Sequence, residues 1–198
     1  MRTGRPGKIR TGPGIRTTTQ RTNETIVPTR YVVFSHGQEG GPWGRKITAL
    51  ADTARSEGYQ PESVDYRGID SARDRIAHLM EFCQDLQGDL VLVGSSLGGY
   101  VSVAAASLLH ARGVFLLAPA IFAEGLPELR KGQLDCPTMV VHGWRDEVVP
   151  FEQSVRFAQL YGASLHLLAG DHRLHSELRL IRYLFEYFLI ALDLPASA

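Results

Sequence analysis

The chain has 198 residues, of which 44% are hydrophobic and 21% are charged, a size and composition typical of one globular domain with a sizeable core. Its formal net charge is zero, but residues 31–198 hold fourteen Lys/Arg against twenty Asp/Glu, a net charge of −6. Such an acidic body is poorly suited to the phosphate backbone, so we expect no nucleic-acid partner.

The first 28 residues are rich in Arg, Thr, Gly and Pro and contain almost no large apolar side chains. Such a segment cannot bury enough surface to offset the entropy lost on ordering. We therefore predict a disordered basic arm over residues 1–28, whose role stays open, and a single domain over residues 29–198.

The first elements of the domain follow one another closely. An apolar run over residues 31–35 predicts a strand that is buried on both faces. A glycine-rich loop over residues 36–44 leads to helical periodicity over residues 45–57. A short strand over residues 63–66 and a helix over residues 71–86 come next. The glycines of the loop match neither phosphate-binding pattern, so we predict no phosphate cradle there.

The stretch VLVGSSLGGY links a strand predicted over residues 90–93 to a helix predicted over residues 100–109. Its G-x-S-x-G turn places Ser96 at the apex. Gly94 and Gly98 lack Cβ atoms, so the strand and the helix can approach closely. A hydroxyl beside the N–H groups of a helix N-terminus suits acyl transfer, although the pentapeptide alone also occurs in ordinary turns.

The second half of the chain continues the alternation of strands and helices. Residues 120–135 form a connection that can hold one short amphipathic helix at most, too little to cover a site. The remaining elements are strands over residues 114–118, 139–141 and 164–168 and helices over residues 151–161 and 173–192.

This alternation predicts an α/β fold in three layers, with a mostly parallel sheet of about six strands and helices on both faces. Ligands of such sheets bind outside the carboxyl ends of the strands. Three of those ends are followed by Ser96, Asp146 and His172. These residues are far apart in sequence and can meet only through the fold.

Three motifs occur together in one order along the chain. The serine lies in a nucleophile elbow, H-G-x-x-D-x-x-V-P occupies residues 142–150, and Ser-His-Gly ends the first strand. In this combination the chain resembles the α/β-hydrolase superfamily, in particular its small lidless esterases and dienelactone-hydrolase-like members. The resemblance covers about residues 31–192. The HGGG loop usual in that superfamily is replaced here by His36-Gly37-Gln38.

The resemblance implies a catalytic triad and an oxyanion hole. Ser96 Oγ would attack an acyl carbonyl, His172 would take the serine proton, and Asp146 would orient His172. The N–H groups of Leu97 and Gln38 would stabilise the oxyanion.

The substrate is expected to carry a short acyl group. Trp43 and Trp144 lie in loops at the carboxyl edge of the predicted sheet and are candidate substrate walls. Because the connection over residues 120–135 is too small to roof a long acyl chain, we expect acetyl to hexanoyl esters to be the best substrates.

Other polar residues near these positions have simpler explanations. Glu147 is the serious rival of Asp146, because it comes next in the same loop. Asp171 is interpreted as a helix cap. The other candidates are interpreted as structural: His36 and His142 as loop supports at strand ends, Ser95 as a turn residue, His166 within a strand and His175 inside a helix.

Taken with the resemblance, these residues predict a carboxylesterase-like serine hydrolase of small acyl esters. Two alternatives stay open: a thioesterase or peptidase of the same fold, and a catalytically silent binding or scaffold protein, because a fold alone does not decide function. A complete triad favours the enzyme. We expect a small-molecule acyl substrate and neither cofactor nor metal, since no ligand cluster or H-E-x-x-H motif occurs. The oligomeric state stays open.

The compartment is expected to be the cytoplasm. Cys83 and Cys136 are isolated and form no disulfide pattern, which favours a reducing environment. No apolar signal segment opens the sequence, and no run of about 18 apolar residues occurs, so we expect no membrane association.

Overall fold

The computed structural model describes residues 29–130 and 134–194, together with Met1. The arm predicted over residues 1–28 falls on positions 2–28, which lie outside the described residues. The strands are β1 Arg30–Ser35, β2 Gln60–Val64, β3 Asp89–Ser95, β4 Gly113–Leu117, β5 Thr138–Gly143 and β6 Ser164–Leu168. The helices are α1 Arg45–Ser56, α2 Ala72–Cys83, α3 Leu97–Ala106, α4 Glu152–Tyr161 and α5 Leu178–Asp193.

The six strands form one sheet in the order β2-β1-β3-β4-β5-β6, and every neighbouring pair is parallel. The α/β prediction is therefore confirmed. The strand order reverses between β1 and β3, because the chain leaves β1 toward β2 and then crosses back. Loops that follow two such strands diverge and leave a crevice at the carboxyl edge of the sheet. The glycine-rich loop and the Ser96 turn flank that crevice.

Helices cover both faces of the sheet and bury a separate apolar layer on each. Consecutive residues of β4 illustrate this, since side chains alternate between the faces of a strand. Phe115 packs on Phe185 of α5, with ring centres 5.0 Å apart, in the layer that α1 and α5 cover. Leu116 faces the other layer, where Leu79 and Phe157 come from α2 and α4. No helix within the described ranges is long and apolar enough to cross a membrane.

Two helices next to the crevice begin away from their predicted positions. Helix α3 begins at Leu97 rather than at residue 100, since glycines in its first turn weaken the helical signal in the sequence. Helix α5 begins at Leu178 rather than at residue 173. The φ of Leu174 is 55°, in the left-handed region, which a right-handed helix cannot contain. Residues 171–174 and 174–177 form two successive turns instead.

The connection between β4 and β5 does not cover the crevice. Residues 120–130 and 134–135 contain turns and irregular backbone but no helix. Ile121 and Leu129 are buried in the core layer beneath, so the apolar side chains of this connection are used for packing. The prediction of at most one short helix holds for the described part of the connection.

Candidate active site

Ser96 occupies the turn between β3 and α3 in an unusual backbone conformation. Its φ of 54° and ψ of −122° lie outside the regions that non-glycine residues ordinarily adopt. Two glycines permit the close packing around it. A Cβ on Gly94 would lie 2.4 Å from Gly98 O, and a Cβ on Gly98 would lie 2.1 Å from Ser35 O. The fold thus holds a strained serine at the carboxyl edge of the sheet, as the elbow motif predicts.

The loop after β1 lies directly against this serine. A Cβ built on Gly37 would lie 3.1 Å from Ser96 Cβ. Gln38, the next residue of the loop, lines the pocket that contains Ser96. Leu97 is the first residue of α3, where N–H groups have no acceptor within the helix. Both predicted oxyanion donors therefore belong to segments adjacent to Ser96.

His36 anchors this loop. Its buried imidazole accepts a hydrogen bond at Nε2 from the Tyr66 N–H, 2.9 Å away, and its Nδ1 lies 2.7 Å from Gly37 O. Because Nε2 accepts, Nδ1 carries the proton and donates, and the ring is neutral. Burial lowers the pKa of His36, which also favours the neutral form. His36 is a loop support, as predicted.

A buried arginine that the motifs did not indicate also supports the loop. Arg75 on α2 is only 1% exposed. Its Nε donates to Ile69 O at 2.6 Å, and its Nη1 donates to His36 O at 3.3 Å and to Gly37 O at 3.4 Å. Burial lowers the pKa of Arg75, but a guanidinium stays charged at neutral pH. Its contacts restrain the peptides on both sides of Gly37, and therefore the N–H of Gln38.

The predicted base and acid are in direct contact. His172 Nδ1 lies 2.7 Å from Asp146 Oδ2, and the Asp146 side chain is shielded from solvent. A carboxylate only accepts hydrogen bonds, so His172 carries its proton on Nδ1 and keeps a lone pair on Nε2. A general base that receives a serine proton at Nε2 needs this tautomer.

Three further donors converge on Asp146. Its Oδ1 accepts hydrogen bonds from the N–H groups of Val148 at 2.9 Å and Val149 at 2.8 Å, and His142 Nε2 lies 2.9 Å from Oδ2. Burial alone would raise the pKa of Asp146, but the Val149 N–H, His172 and the Val148 N–H outweigh it and hold this pKa below its usual value. The acid is therefore ionised at neutral pH and fixed in position. His142 is fully buried here and supports the loop, as predicted.

Ser96 and His172 line the same pocket, which has a volume of about 1100 Å³. No hydrogen bond joins the two side chains in the described part of the chain; nucleophile and base often close this distance only around a substrate. Glu147 also lines the pocket, but it is Asp146 that contacts His172. Asp171 accepts a hydrogen bond from the Leu174 N–H at 2.9 Å and closes the turn after His172. Its interpretation as a helix cap is wrong, because α5 begins only at Leu178.

The two predicted substrate walls are not among the residues that line this pocket. Trp43 is 48% exposed just before α1. Trp144 is 51% exposed and stands edge-on to the Phe151 ring, with centres 4.7 Å apart. Their loops leave the carboxyl edge of the sheet as expected, but the side chains lie away from the crevice.

The whole folded body matches one protein family. A sequence model described as the alpha/beta hydrolase family matches residues 32–193. The chain belongs to the α/β hydrolase family. The mouse protein named palmitoyl-protein thioesterase ABHD10, mitochondrial, is 23% identical in an alignment that covers 72% of this chain and 69% of the mouse protein.

Solved structures of this family have the same fold. A protein of the alpha/beta hydrolase superfamily from Xanthomonas campestris is 29% identical, with a TM-score of 0.76, and the match covers 83% of this chain and 99% of that one. XC6422 from the same organism, described as an α/β serine hydrolase without a lid, is 21% identical with a TM-score of 0.65 over 89% of this chain and 88% of that one. The resemblance stated from the sequence motifs is confirmed.

Lys46 belongs to the pocket of this α/β hydrolase, although no motif indicated it. It lies in the first turn of α1, and its Nζ donates a hydrogen bond to Ser95 Oγ at 3.0 Å. Burial lowers the pKa of Lys46 to about 8, although the charges of Asp146 and Asp171 oppose the shift. The sequence feature that could have indicated Lys46 is its spacing: it lies one helical turn before the buried Leu50, on the same side of α1.

Arg173 and His175 also line the pocket. The prediction that His175 lies inside a helix is wrong, because α5 begins only at Leu178. The turn closed by Asp171 buries Leu174 in the core and leaves Arg173, His175 and Ser176 to line the pocket. No sequence signal indicates that Leu174 adopts a positive φ, so this arrangement could not be predicted.

Proposed function

We propose that this α/β hydrolase is a serine esterase that cleaves small acyl esters through an acyl-enzyme on Ser96. One observation carries the proposal: the hydrogen bond of 2.7 Å between His172 and the buried Asp146, beside a pocket that also contains the strained Ser96. A serine hydroxyl is a weak nucleophile without a base, and a carboxylate-oriented imidazole is the usual means of activating one.

In the first half of the reaction, Ser96 Oγ attacks the acyl carbonyl carbon while its proton passes to His172 Nε2. The N–H groups of Leu97 and Gln38 stabilise the negative oxygen of the tetrahedral intermediate. Asp146 stabilises the imidazolium that forms on His172. When the intermediate collapses, the carbon–oxygen bond of the ester breaks, and the leaving alkoxide takes the proton from His172 Nε2.

The second half repeats these steps with water. His172 Nε2 takes a proton from the water as its oxygen attacks the acyl carbon. Collapse then releases the carboxylic acid and returns the proton to Ser96 Oγ. Arg75 restrains the loop of Gln38, and four donors hold Asp146, in both halves of the reaction, so the site needs little reorganisation between them.

A thioester is a second candidate substrate. The mouse relative is named a thioesterase, and the same attack by Ser96 would release a thiolate in place of an alkoxide. Hydrolysis of phenyl butyrate and of S-phenyl thiobutyrate should be compared, because the two share an acyl group and an aromatic leaving group. A kcat/KM for the thioester well above that for the ester would favour the thioesterase.

The proposal is tested with Ser96→Ala and 4-nitrophenyl butyrate. We expect kcat to fall by a factor on the order of 10⁴ or more, as for loss of the nucleophile in other serine hydrolases. Ser107→Ala, at the C-terminal end of the same helix, is the matched control and should hydrolyse the ester like the wild type. A folded Ser96→Ala protein with unchanged hydrolysis would disprove the proposal. A wild-type protein that hydrolyses no ester or thioester would instead favour the silent binding protein.

A further inference from the structure

One side of the pocket carries an accumulation of positive charge. Arg45 and Lys46 begin α1, and Arg173 and His175 lie in the turns between β6 and α5. All four line the pocket that contains Ser96. We call these four residues the basic wall.

The four side chains form one electrostatic cluster. Burial lowers the pKa of His175, and the positive charges of Arg45, Lys46 and Arg173 lower it further, which requires all three to lie near the imidazole. Asp171 opposes this effect. Through the hydrogen bond from Lys46 Nζ to Ser95 Oγ, the cluster reaches the residue next to the nucleophile.

The cations of the basic wall lack carboxylate partners. Within residues 29–130 and 134–194, neither Arg45, Lys46 nor Arg173 has a carboxylate oxygen within 4.0 Å. Four arginines elsewhere on the molecule do form such pairs: Arg30 with Asp193, Arg55 with Asp52, Arg67 with Asp65 and Arg112 with Asp89.

The acids of the pocket are engaged by other donors or form no ion pair with the basic wall. Asp146 is shared among His172, His142 and two backbone N–H groups, and Asp171 Oδ1 accepts from the Leu174 N–H. Glu39 and Glu147 line the pocket but form no ion pair with the basic wall among the described residues. Lys46 and His175 are half-buried, and Arg45 and Arg173 are exposed. Cations that form no ion pair within the protein are suited to bind an anion from solution.

We infer that the substrate carries an anionic group, a carboxylate or a phosphate, on its leaving-group side, bound by Lys46 and Arg173. The inference rests on the proposed esterase function. The side of the substrate follows from His172, because its Nε2 must face the leaving atom to protonate it. Arg173 is the next residue in the chain, His175 lies in the turn that follows, and the charge of Lys46 acts on His175. The cations therefore adjoin the departing alcohol or thiol rather than the acyl group.

The inference is tested with two acetyl esters that differ in one charge. 4-Acetoxybenzoate releases a phenol that bears a carboxylate, and its methyl ester releases a neutral phenol. The ratio of their kcat/KM values is measured for wild type, Lys46→Met and Arg173→Met. Comparing one ratio among variants cancels the difference in intrinsic reactivity between the two esters. Arg179→Met removes a positive charge from α5 outside the pocket and is the matched control.

The anionic-to-neutral ratio should fall about tenfold in Lys46→Met and in Arg173→Met, as expected for loss of one charged hydrogen bond, and should not change in Arg179→Met. A ratio unaffected by both pocket substitutions, while Ser96 still hydrolyses the neutral ester, would overturn the inference and leave the proposed function intact. If the wild type hydrolyses neither these esters nor thioesters, both fail.

Two further measurements on the wild type need no substitution. Mono-4-nitrophenyl adipate and its methyl ester place the charge on the acyl side; a charge preference seen only with this pair would overturn the assignment to the leaving group. The preference for 4-acetoxybenzoate should also weaken as pH rises through about 8, because Lys46 then loses its proton while the benzoate stays ionised. A preference that is constant up to pH values well above this pKa would show that Lys46 does not bind the anion.

Discussion

Replacement of Asp146 by asparagine should leave the protein folded but nearly inactive. Four donors point at the carboxylate: the N–H groups of Val148 and Val149, His172 Nδ1–H and His142 Nε2. An amide offers one acceptor oxygen and one NH₂ group in their place. Backbone N–H groups can only donate hydrogen bonds, so the amide oxygen should face Val148 and Val149. The NH₂ group then faces the two imidazoles.

His172 would adapt by presenting a lone pair at Nδ1 and carrying its proton on Nε2. In that tautomer it cannot accept the proton of Ser96. The loss of kcat is therefore expected to be on the order of 10⁴, equivalent to about 5 kcal/mol of barrier height. Initial rates with 4-nitrophenyl butyrate measure this directly, and the thermal midpoint Tm shows whether the protein is folded.

Glu147→Gln is the matched control, because it removes the neighbouring carboxylate in the same loop. Glu147 makes no hydrogen bond to His172 in the described residues, so this variant should retain kcat within about twofold. A folded Asp146→Asn protein with kcat within tenfold of the wild type, or a damaging Glu147→Gln, would refute the role given to Asp146.

Three other predictions follow from the same contacts. Gly98→Ala should lower the free energy of unfolding by about 3 kcal/mol in urea titrations, since its Cβ would lie 2.1 Å from Ser35 O. The control Gly41→Ala has nothing within 4 Å of its Cβ and should have little effect; equal free energies of unfolding for the two variants would contradict the close packing. Arg75→Met should lower kcat about tenfold with KM little changed, because the loop that carries the proposed oxyanion donor Gln38 loses its restraint, and Arg75→Lys should restore part of the loss; a change confined to Tm would indicate a structural role only. Across 4-nitrophenyl esters of increasing length, kcat/KM should rise up to about fourfold per added CH₂, equivalent to a transfer free energy of about 0.8 kcal/mol for each CH₂ that is buried. It should level off after hexanoyl, because the described part of residues 120–135 forms no cover; a continued rise to dodecanoyl would contradict this.

The fold could be predicted because its signals are local. Apolar runs such as residues 31–35 and 164–168 match strands β1 and β6 within one residue, and the alternation with helices leaves few arrangements other than a parallel sheet. The contact between His172 and Asp146 follows from the same logic, because both residues come directly after neighbouring parallel strands.

The rest depended on backbone conformations and long-range contacts that no periodicity encodes. Leu174 adopts a positive φ and delays α5, which turns His175 from a predicted helix residue into a lining of the pocket. Arg75 shares a line along α2 with Leu79 and Cys83, so its burial was readable in principle, but its carbonyl partners on another loop were not. The outward position of Trp43 depends in the same way on the path of one loop.

The measurement that tests the central claim most directly is covalent labelling with a fluorophosphonate, followed by mass spectrometry of the digested protein. Such a probe phosphonylates a serine only where a base activates the hydroxyl, and the elbow and the imidazole–carboxylate pair single out one such serine. We expect a single adduct on the peptide that contains Ser96, absent from Ser96→Ala and strongly slowed in Asp146→Asn. Labelling of a different residue, or equal labelling of a folded Ser96→Ala protein, would contradict the account.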